Sequence, residues 1–245
     1  MPTNIQGSVG SGGANKPDDV RTVKTRLIEL GFDWLATEGV IDRVDALTID
    51  TIKLFQTIKT GVNIITGDGR VDVNGDTLKW LQASNAPRWQ TMPAGSKEEG
   101  FVNDELADRS DDHDFGTNWL ADTLSATGGT YKADFLSLHP GAAVLSINDT
   151  SLPRGGPTPA HETHQSGLAS DIRLPHKDGS VGGITVAAAA YDRNAMRAML
   201  NAFLAQALAK RVLLNDSALI AEGLCSHAAG HDNHAHFEVK PPVRA

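Results

Sequence analysis

At 245 residues the chain is long enough for one large domain or two smaller ones, and a hydrophobic content of 40% is enough to fill real cores. Aromatic residues make up only 5%, so those cores are aliphatic and alanine-rich. The net charge of -8 argues against binding nucleic acid or docking electrostatically on anionic lipid, because both need a basic surface.

The single cysteine, Cys225, has no partner for an internal disulfide and no neighbours for a thiolate zinc site, so it reads as a small core residue. The opening stretch MPTNIQGSVGSGGANKP has neither the basic nor the apolar region of a secretory signal. The longest apolar run, GGITVAAAAYDR, falls well short of the ~20 residues that cross a bilayer. The expectation is a chain made in the cytoplasm without a signal peptide and without membrane insertion.

Residues 1–15 are rich in Gly, Ser and Asn and read as a flexible N-terminus. Pro17, Asp18 and Asp19 then open a helix, with Val20, Val23, Leu27 and Leu30 at helical spacing and Gly31 as its stop. A second helix is expected over about 46–58, with Ile49, Ile52, Phe55 and Ile58 on one face and Asp45 or Thr48 as its cap. TGDGRVDVNGDT is turn-forming, and its partial likeness to a calcium loop lacks the twelfth-position glutamate. DTLKWLQ begins a third short helix. Residues 16–84 therefore read as a small three-helix domain.

That segment carries a resemblance. Leu30-Gly31, Gly39, Phe55-Gln56 and the run from Gly69 to Asp72 match the pattern of the peptidoglycan-binding type 1 family. The resemblance implies that this domain holds bacterial cell wall.

Residues 85–100, with two prolines among polar residues, read as a linker, and 101–245 as a second domain. Asp111, Asp112, His113 and Asp114 read as a solvated acidic run rather than a metal cluster. A helix is expected from about 117, short strands within FLSLHPGAAVLSINDTS, a long helix over DRNAMRAMLNAFLAQALAKR, a strand at RVLLND and a last strand at HAHFEVK. The pattern predicts an α+β domain: a small antiparallel sheet with flanking helices, preceded by the three-helix domain.

Six of the nine histidines fall in HETHQSGLASDI (161–172), in GHDNHAHFEV (230–239) or just before the latter, at His227. His164 and Asp171 are seven apart around Gly167, so that a loop residue and a strand residue can converge on one ion. His234 and His236 share one face of a strand, with His231 in the preceding turn. The alternation with Phe237 and Val239 implies a folded strand rather than an inert histidine tract.

These windows carry a second resemblance. H-x6-D followed by H-x-H resembles the murein endopeptidases of the MepA type and the wider group of LAS zinc peptidases. The resemblance implies Zn2+ held by His164, Asp171 and His236. It implies site roles for His234, His231 and His161, with His234 beside the metal water, and it matches Arg154 to a loop near the substrate. Arg154 reads equally as a carboxylate anchor and as a surface loop residue. Part of the group has a glutamate as general base three residues before the last ligand. Asn233 stands there in this chain, which leaves His234, His231 or a local carboxylate, Asp232 or Glu162, for that role.

The two resemblances converge on one substrate. They imply a zinc peptidase cutting stem peptides or D-Ala-diaminopimelate cross-links of peptidoglycan. The absence of a signal fits a phage-type lysin released through a holin, or an effector delivered by non-Sec secretion machinery, the latter with an immunity protein as a candidate partner. The rival expectations are a non-catalytic wall-binding protein with a structural metal site, and a D,D-dipeptidase or L-Ala-D-Glu peptidase of the same fold.

Overall fold

The computed structural model describes residues 3–38, 40–107, 112–158 and 161–245. Residues 3–15 are part of the fold rather than a flexible lead. The amides of Gln6 and Gly7 both donate to the Asp19 carboxylate at 2.9 Å, and Val9 is buried. Strand β1 (Val9–Gly10) pairs antiparallel with β2 (Arg70–Val71). Helix α1 (Pro17–Glu29) buries Val20, Val23 and Leu27, as its spacing predicts. A single turn, α2 (Trp34–Thr37), follows.

Helix α3 (Ala46–Thr60) starts with a reciprocal cap. Asp45 accepts from the Thr48 amide at 2.7 Å, and the Thr48 hydroxyl lies 3.3 Å from the Asp45 amide. Lys24 is fully buried in front of it, and its Nζ donates to the carbonyls of Val40 and Arg43, each at 2.9 Å. Gln56 ties the following loop down: its amide nitrogen donates to Asp68 and to the Arg70 carbonyl, and its oxygen accepts from the Gly69 amide. Helix α4 (Asp76–Gln82) completes this half.

Residues 85–100, expected as a linker, are built into both halves. Strand β3 (Trp89–Thr91) pairs antiparallel with β6 (Phe115–Thr117). Between them run β4 (Gly95–Ser96) and β5 (Phe101–Asn103). Trp89 is buried against Phe32 and Trp34 of the helical half, and its indole N–H donates to the Pro153 carbonyl at 2.8 Å. The signal missed by composition is a large aromatic flanked by prolines: such a residue in a nominal linker has to be buried somewhere.

Helix α5 (Asn118–Tyr131) runs on into a π-helical turn (Lys132–Leu136), so the apolar residues Phe135 and Leu136 are helical rather than in a strand. Only β7 (Leu145–Ile147) forms in the stretch expected to hold several strands. Then come β8 (Ala169–Arg173), α6 (Arg193–Leu204), β9 (Ala209–Leu213), α7 (Ser217–Ala221) and β10 (His234–Val239). The main sheet has six strands in the order β4-β5-β7-β8-β10-β9. It is larger than expected and mixed, since β5 and β7 run parallel while the other pairs are antiparallel. Among the described residues the fold is mixed α and β, with seven α-helices and three sheets.

The pairing of β8 with β10 decides what each face of the sheet carries. Ala235 stands opposite Ile172 and Phe237 opposite Ser170, and this face packs on α5 and α6, with Phe237 stacked on Phe203 at 4.2 Å. His236 stands opposite Asp171 and His234 opposite Arg173, on the other face. Strand alternation thus sorts one ladder into a core side and a polar side.

Two predictions follow from the packing. Trp89→Ala should cost about 3–5 kcal/mol, because it empties the junction between the halves; the shift in urea midpoint measures it. Asp216 caps α7, accepts from Arg193 Nε at 2.7 Å, and is buried. Burial alone would raise its carboxyl, but the bonds from Arg193, the Leu219 amide and Tyr191 hold it below the usual carboxylate range. A group so lowered stabilises the fold above its unfolded pKa, and that contribution is lost as pH falls through the folded value. Asp216→Asn keeps the cap and removes the charge. It should cost about 1 kcal/mol at neutral pH, Arg193 being nearly half exposed, and should flatten the loss of stability below about pH 4. An unchanged acid limb in urea titrations would count against this assignment.

Candidate metal centre

The loop that carries His164 is held in an unusual shape. His164 has φ 67°, in the left-handed region that non-glycine residues rarely occupy. Gly167 follows at φ 66°, and a Cβ there would meet Gly116 Cα at 2.6 Å and Trp89 Cζ3 at 2.7 Å. Ser151 holds the loop from inside: its hydroxyl donates to the His164 carbonyl and accepts from the Gly167 amide. The helical half holds it from outside. Ser166 Oγ donates to the Val62 carbonyl at 2.8 Å, and the Ile65 amide donates to Gln165 Oε1 at 2.9 Å.

This shape brings His164 Nε2 to 3.1 Å from Asp171 Oδ1 and 3.0 Å from His236 Nδ1, while His236 Nδ1 lies 2.9 Å from the same Asp171 oxygen. All three side chains are buried. The outer partner of His164 sets its tautomer. His164 Nδ1 is 2.9 Å from the Thr150 carbonyl, which only accepts, so Nδ1 carries the proton and Nε2 presents its lone pair. His236 Nε2 lies 3.4 Å from the Glu238 carboxylate, and its Nδ1 meets Asp171 Oδ1. Glu238 is in turn held by Arg211 at 2.6 Å and Lys210 at 3.1 Å. Two imidazole nitrogens and a carboxylate oxygen meet at one point, atoms of the kinds that can hold a metal ion.

Electrostatics agree with that geometry. Burial would raise the Asp171 carboxyl, but the surrounding His164, His236 and His234 hold it well below the usual range. Burial would likewise lower His236, yet Asp171 and Glu238 push it up to about 9. Glu238, also raised by burial alone, is held far below its ordinary value by His236, Arg211 and Lys210.

The remaining histidines surround the open side. His161 Nδ1 is 3.7 Å from Asp171 Oδ2, and His161, His164 and Asp171 form a group able to hold a metal ion. His234 Nε2 is 3.5 Å from Asp171 Oδ2, and the His231 ring lies 4.9 Å from that of His234. These residues line a cavity of about 430 Å³ that also has Thr163, Leu213 and Ala228 in its wall. The cavities of about 600 and 490 Å³ beside the π-helical turn include none of these residues.

Arg154 is not in this cavity. It pairs with Glu38 of the helical half and lines a separate groove with Trp34 and Leu54, so its charge is committed away from the histidines. Asp232 and Glu162 are exposed, and neither has an ion pair or hydrogen bond to a histidine of the cluster. His113 and Asp114 are buried, unlike the solvated run expected there, and the His113 ring packs 5.4 Å from His161. Asp111 lies outside the described residues. Cys225 is buried, and burial pushes its thiol up to about 11, which keeps it unreactive.

Thr150, Asp149 and Glu238 escaped sequence reasoning. Glu238 was within reach, since His234, His236 and Glu238 alternate on one strand face. Asp149, whose carboxylate meets His161 Nε2 at 2.6 Å, carries no local signal. No protein-family model matches this chain, and no curated protein searched matches its sequence.

Glu238→Gln should weaken metal binding by about 10–100-fold while leaving the fold intact, because it alters the partner of a ligating imidazole rather than a ligand. Competition with a chromogenic chelator gives the affinity. An affinity equal to wild type would mean that Glu238 does not orient His236.

Proposed function

We propose that the chain is a zinc-dependent peptidoglycan peptidase. The observation that carries this reading is the convergence of His164 Nε2, Asp171 Oδ1 and His236 Nδ1 within 3.1 Å of one another at the floor of an open cavity. Two nitrogens and one oxygen, with one side left open, form the donor set of a catalytic rather than a closed structural zinc site. When bound there, zinc supplies a water of lowered pKa and a Lewis acid for the scissile carbonyl.

The protein's own residues account for the rest. Thr150 fixes the tautomer of His164, and Glu238 backs the ring of His236. His234 faces the open side, and burial lowers its pKa, so at neutral pH it is uncharged and able to take a proton. His231 and His161 flank it, where they can donate to a developing oxyanion and to the leaving amine. Asn233 cannot act as a base, and it accepts from His234 Nδ1 at 2.8 Å instead, which aims Nε2 into the cavity.

The substrate assignment rests on the two sequence resemblances, to peptidoglycan-binding type 1 domains and to MepA-type endopeptidases, which point independently at the same polymer. In this reading the helical half holds the wall and presents its bonds to the cavity in a fixed orientation. A lysin released through a holin and an effector exported outside the Sec route both suit it.

The test is digestion of purified sacculi with mass analysis of the released fragments. Wild type should release peptides cut at a stem or cross-link amide. His164→Ala should release none, a loss of at least about 10³-fold, yet still sediment with sacculi. Digestion by the metal-stripped variant at the wild-type rate would refute the assignment. Binding without any digestion by wild type would favour a non-catalytic wall-binding protein.

A further inference from the structure

Gln165 follows His164 directly and is only 8% exposed. Its backbone N–H, backbone carbonyl, side-chain oxygen and side-chain nitrogen each have a partner, and the partners lie on three different segments. The Gln165 amide donates to the Asn63 carbonyl at 3.2 Å, and Oε1 accepts from the Ile65 amide at 2.9 Å. Both partners belong to the segment after α3, in the helical half. The Gln165 carbonyl accepts from the Gly156 amide at 2.8 Å. Nε2 donates to the Glu162 carbonyl at 2.9 Å, inside the loop that carries the histidines.

These partners wall two separate cavities. Ile65 and Gly156 line the groove that holds Trp34 and Arg154, whereas Glu162 lines the histidine cavity. The backbone between the two is tightly packed. Gly155 has φ 62°, and a Cβ there would meet the Gln165 carbonyl oxygen at 2.6 Å and Leu54 of α3 at 3.0 Å. His164, at φ 67°, holds a conformation that persists only where its surroundings enforce it. Ser166 adds hydroxyl contacts to Val62 and Asn63. Gln165 bonds in both directions, out to the helical half and back to Glu162, so a shift on one side is passed to the other.

We propose that Gln165 is a positioning residue that couples the seating of the helical half to the metal affinity of the His164 loop. It touches no ion; it holds the backbone from which the ligand projects. Coupling between two equilibria is reciprocal. If the helical half tightens metal binding, a bound ion tightens the junction at Ile65 and Gly156 by the same factor. This coupling rests on His164 being a metal ligand, and it holds whatever bond the site cuts.

The test is hydrogen exchange of the full chain, read amide by amide by nuclear magnetic resonance with and without Zn2+, together with Zn2+ affinity from chelator competition. In wild type, Zn2+ should slow exchange at the Ile65 and Gly156 amides at least about five-fold. Gln165→Met keeps the size of the side chain and removes its hydrogen bonds. It should bind Zn2+ about 10-fold more weakly and show no slowing at Ile65, while Gly167, in the ligand loop itself, is still slowed. Gln165→Glu keeps an oxygen for the Ile65 amide and should restore the slowing there. A residue that only stabilised the fold would lower the urea midpoint and leave Zn2+ affinity unchanged, and that result would overturn the proposal. So would metal-independent exchange at Ile65 in wild type, or a Gln165→Glu variant that behaves as Gln165→Met does. Wild type and Gln165→Glu decide if Gln165→Met fails to fold. A chain that binds no Zn2+ would remove the metal centre and this coupling together, whereas Zn2+ binding without slowing at Ile65 would remove the coupling alone.

Discussion

Two imidazole nitrogens and a carboxylate oxygen, held within 3.1 Å of one another and away from water, are the constraint around which this half of the molecule is built. Burying the Asp171 carboxylate costs several kcal/mol unless positive charge or donors meet it. His164 and His236 meet it, and each is aimed by a further acceptor, Thr150 or Glu238. The register of β8 against β10 fixes two of these three atoms, because His236 stands directly across from Asp171. The third comes from a loop, so its position must be enforced by other means. The left-handed backbone at His164, the Ser151 staple and the absence of any room for a Cβ at Gly167 do this. Such strain persists only where the surroundings over-determine it.

Much of the candidate site was legible because its signal is periodic. Histidines two apart and interleaved with Phe237 and Val239 can only share a strand face. A histidine and an aspartate seven apart around a glycine can only turn back on themselves. The main helices were legible for the same reason: Val20, Val23 and Leu27, or Met196, Met199 and Phe203, mark their own buried stripes. What stayed hidden depends on partners far away in sequence. The N-terminal residues look mobile by composition, yet Asp19 binds their amides from 12 and 13 residues away. Trp89 sits among polar residues and prolines, and only the fold reveals that Phe32, Trp34 and Pro153 surround it. The parallel pairing of β5 with β7 has no local signature either, since it is set by how α5 crosses between them.

The largest departure from the sequence reading is the junction of the two halves. A binding module on a free linker would only raise local concentration. Here the segment after α3 bonds directly to the loop bearing His164, through Val62, Asn63 and Ile65. Lys210 reaches across from β9 to the Gly61 carbonyl, and Trp80 packs on Trp119 at 5.8 Å. The helical half is thus part of the apparatus that holds the loop bearing His164 in its strained form. Any polymer gripped by that half would meet the cavity in one orientation, which replaces the statistics of a tether with fixed geometry.

That rigidity also separates the roles of the histidines. The inner pair, His164 and His236, is sealed between sheet and loop, with every outer nitrogen facing an acceptor, so its chemistry is restricted to holding a charge. The outer three sit on the wall of an open cavity, where a side chain can gain or lose a partner without disturbing the core. A proton acceptor has to be free to change its charge, and a metal ligand has to be prevented from doing so. In the peptidase reading proposed above, one residue type serves both needs, because one pair is buried and the others are partly exposed. The carboxylate of Asp171, with one oxygen turned to each group, is what joins them into one site.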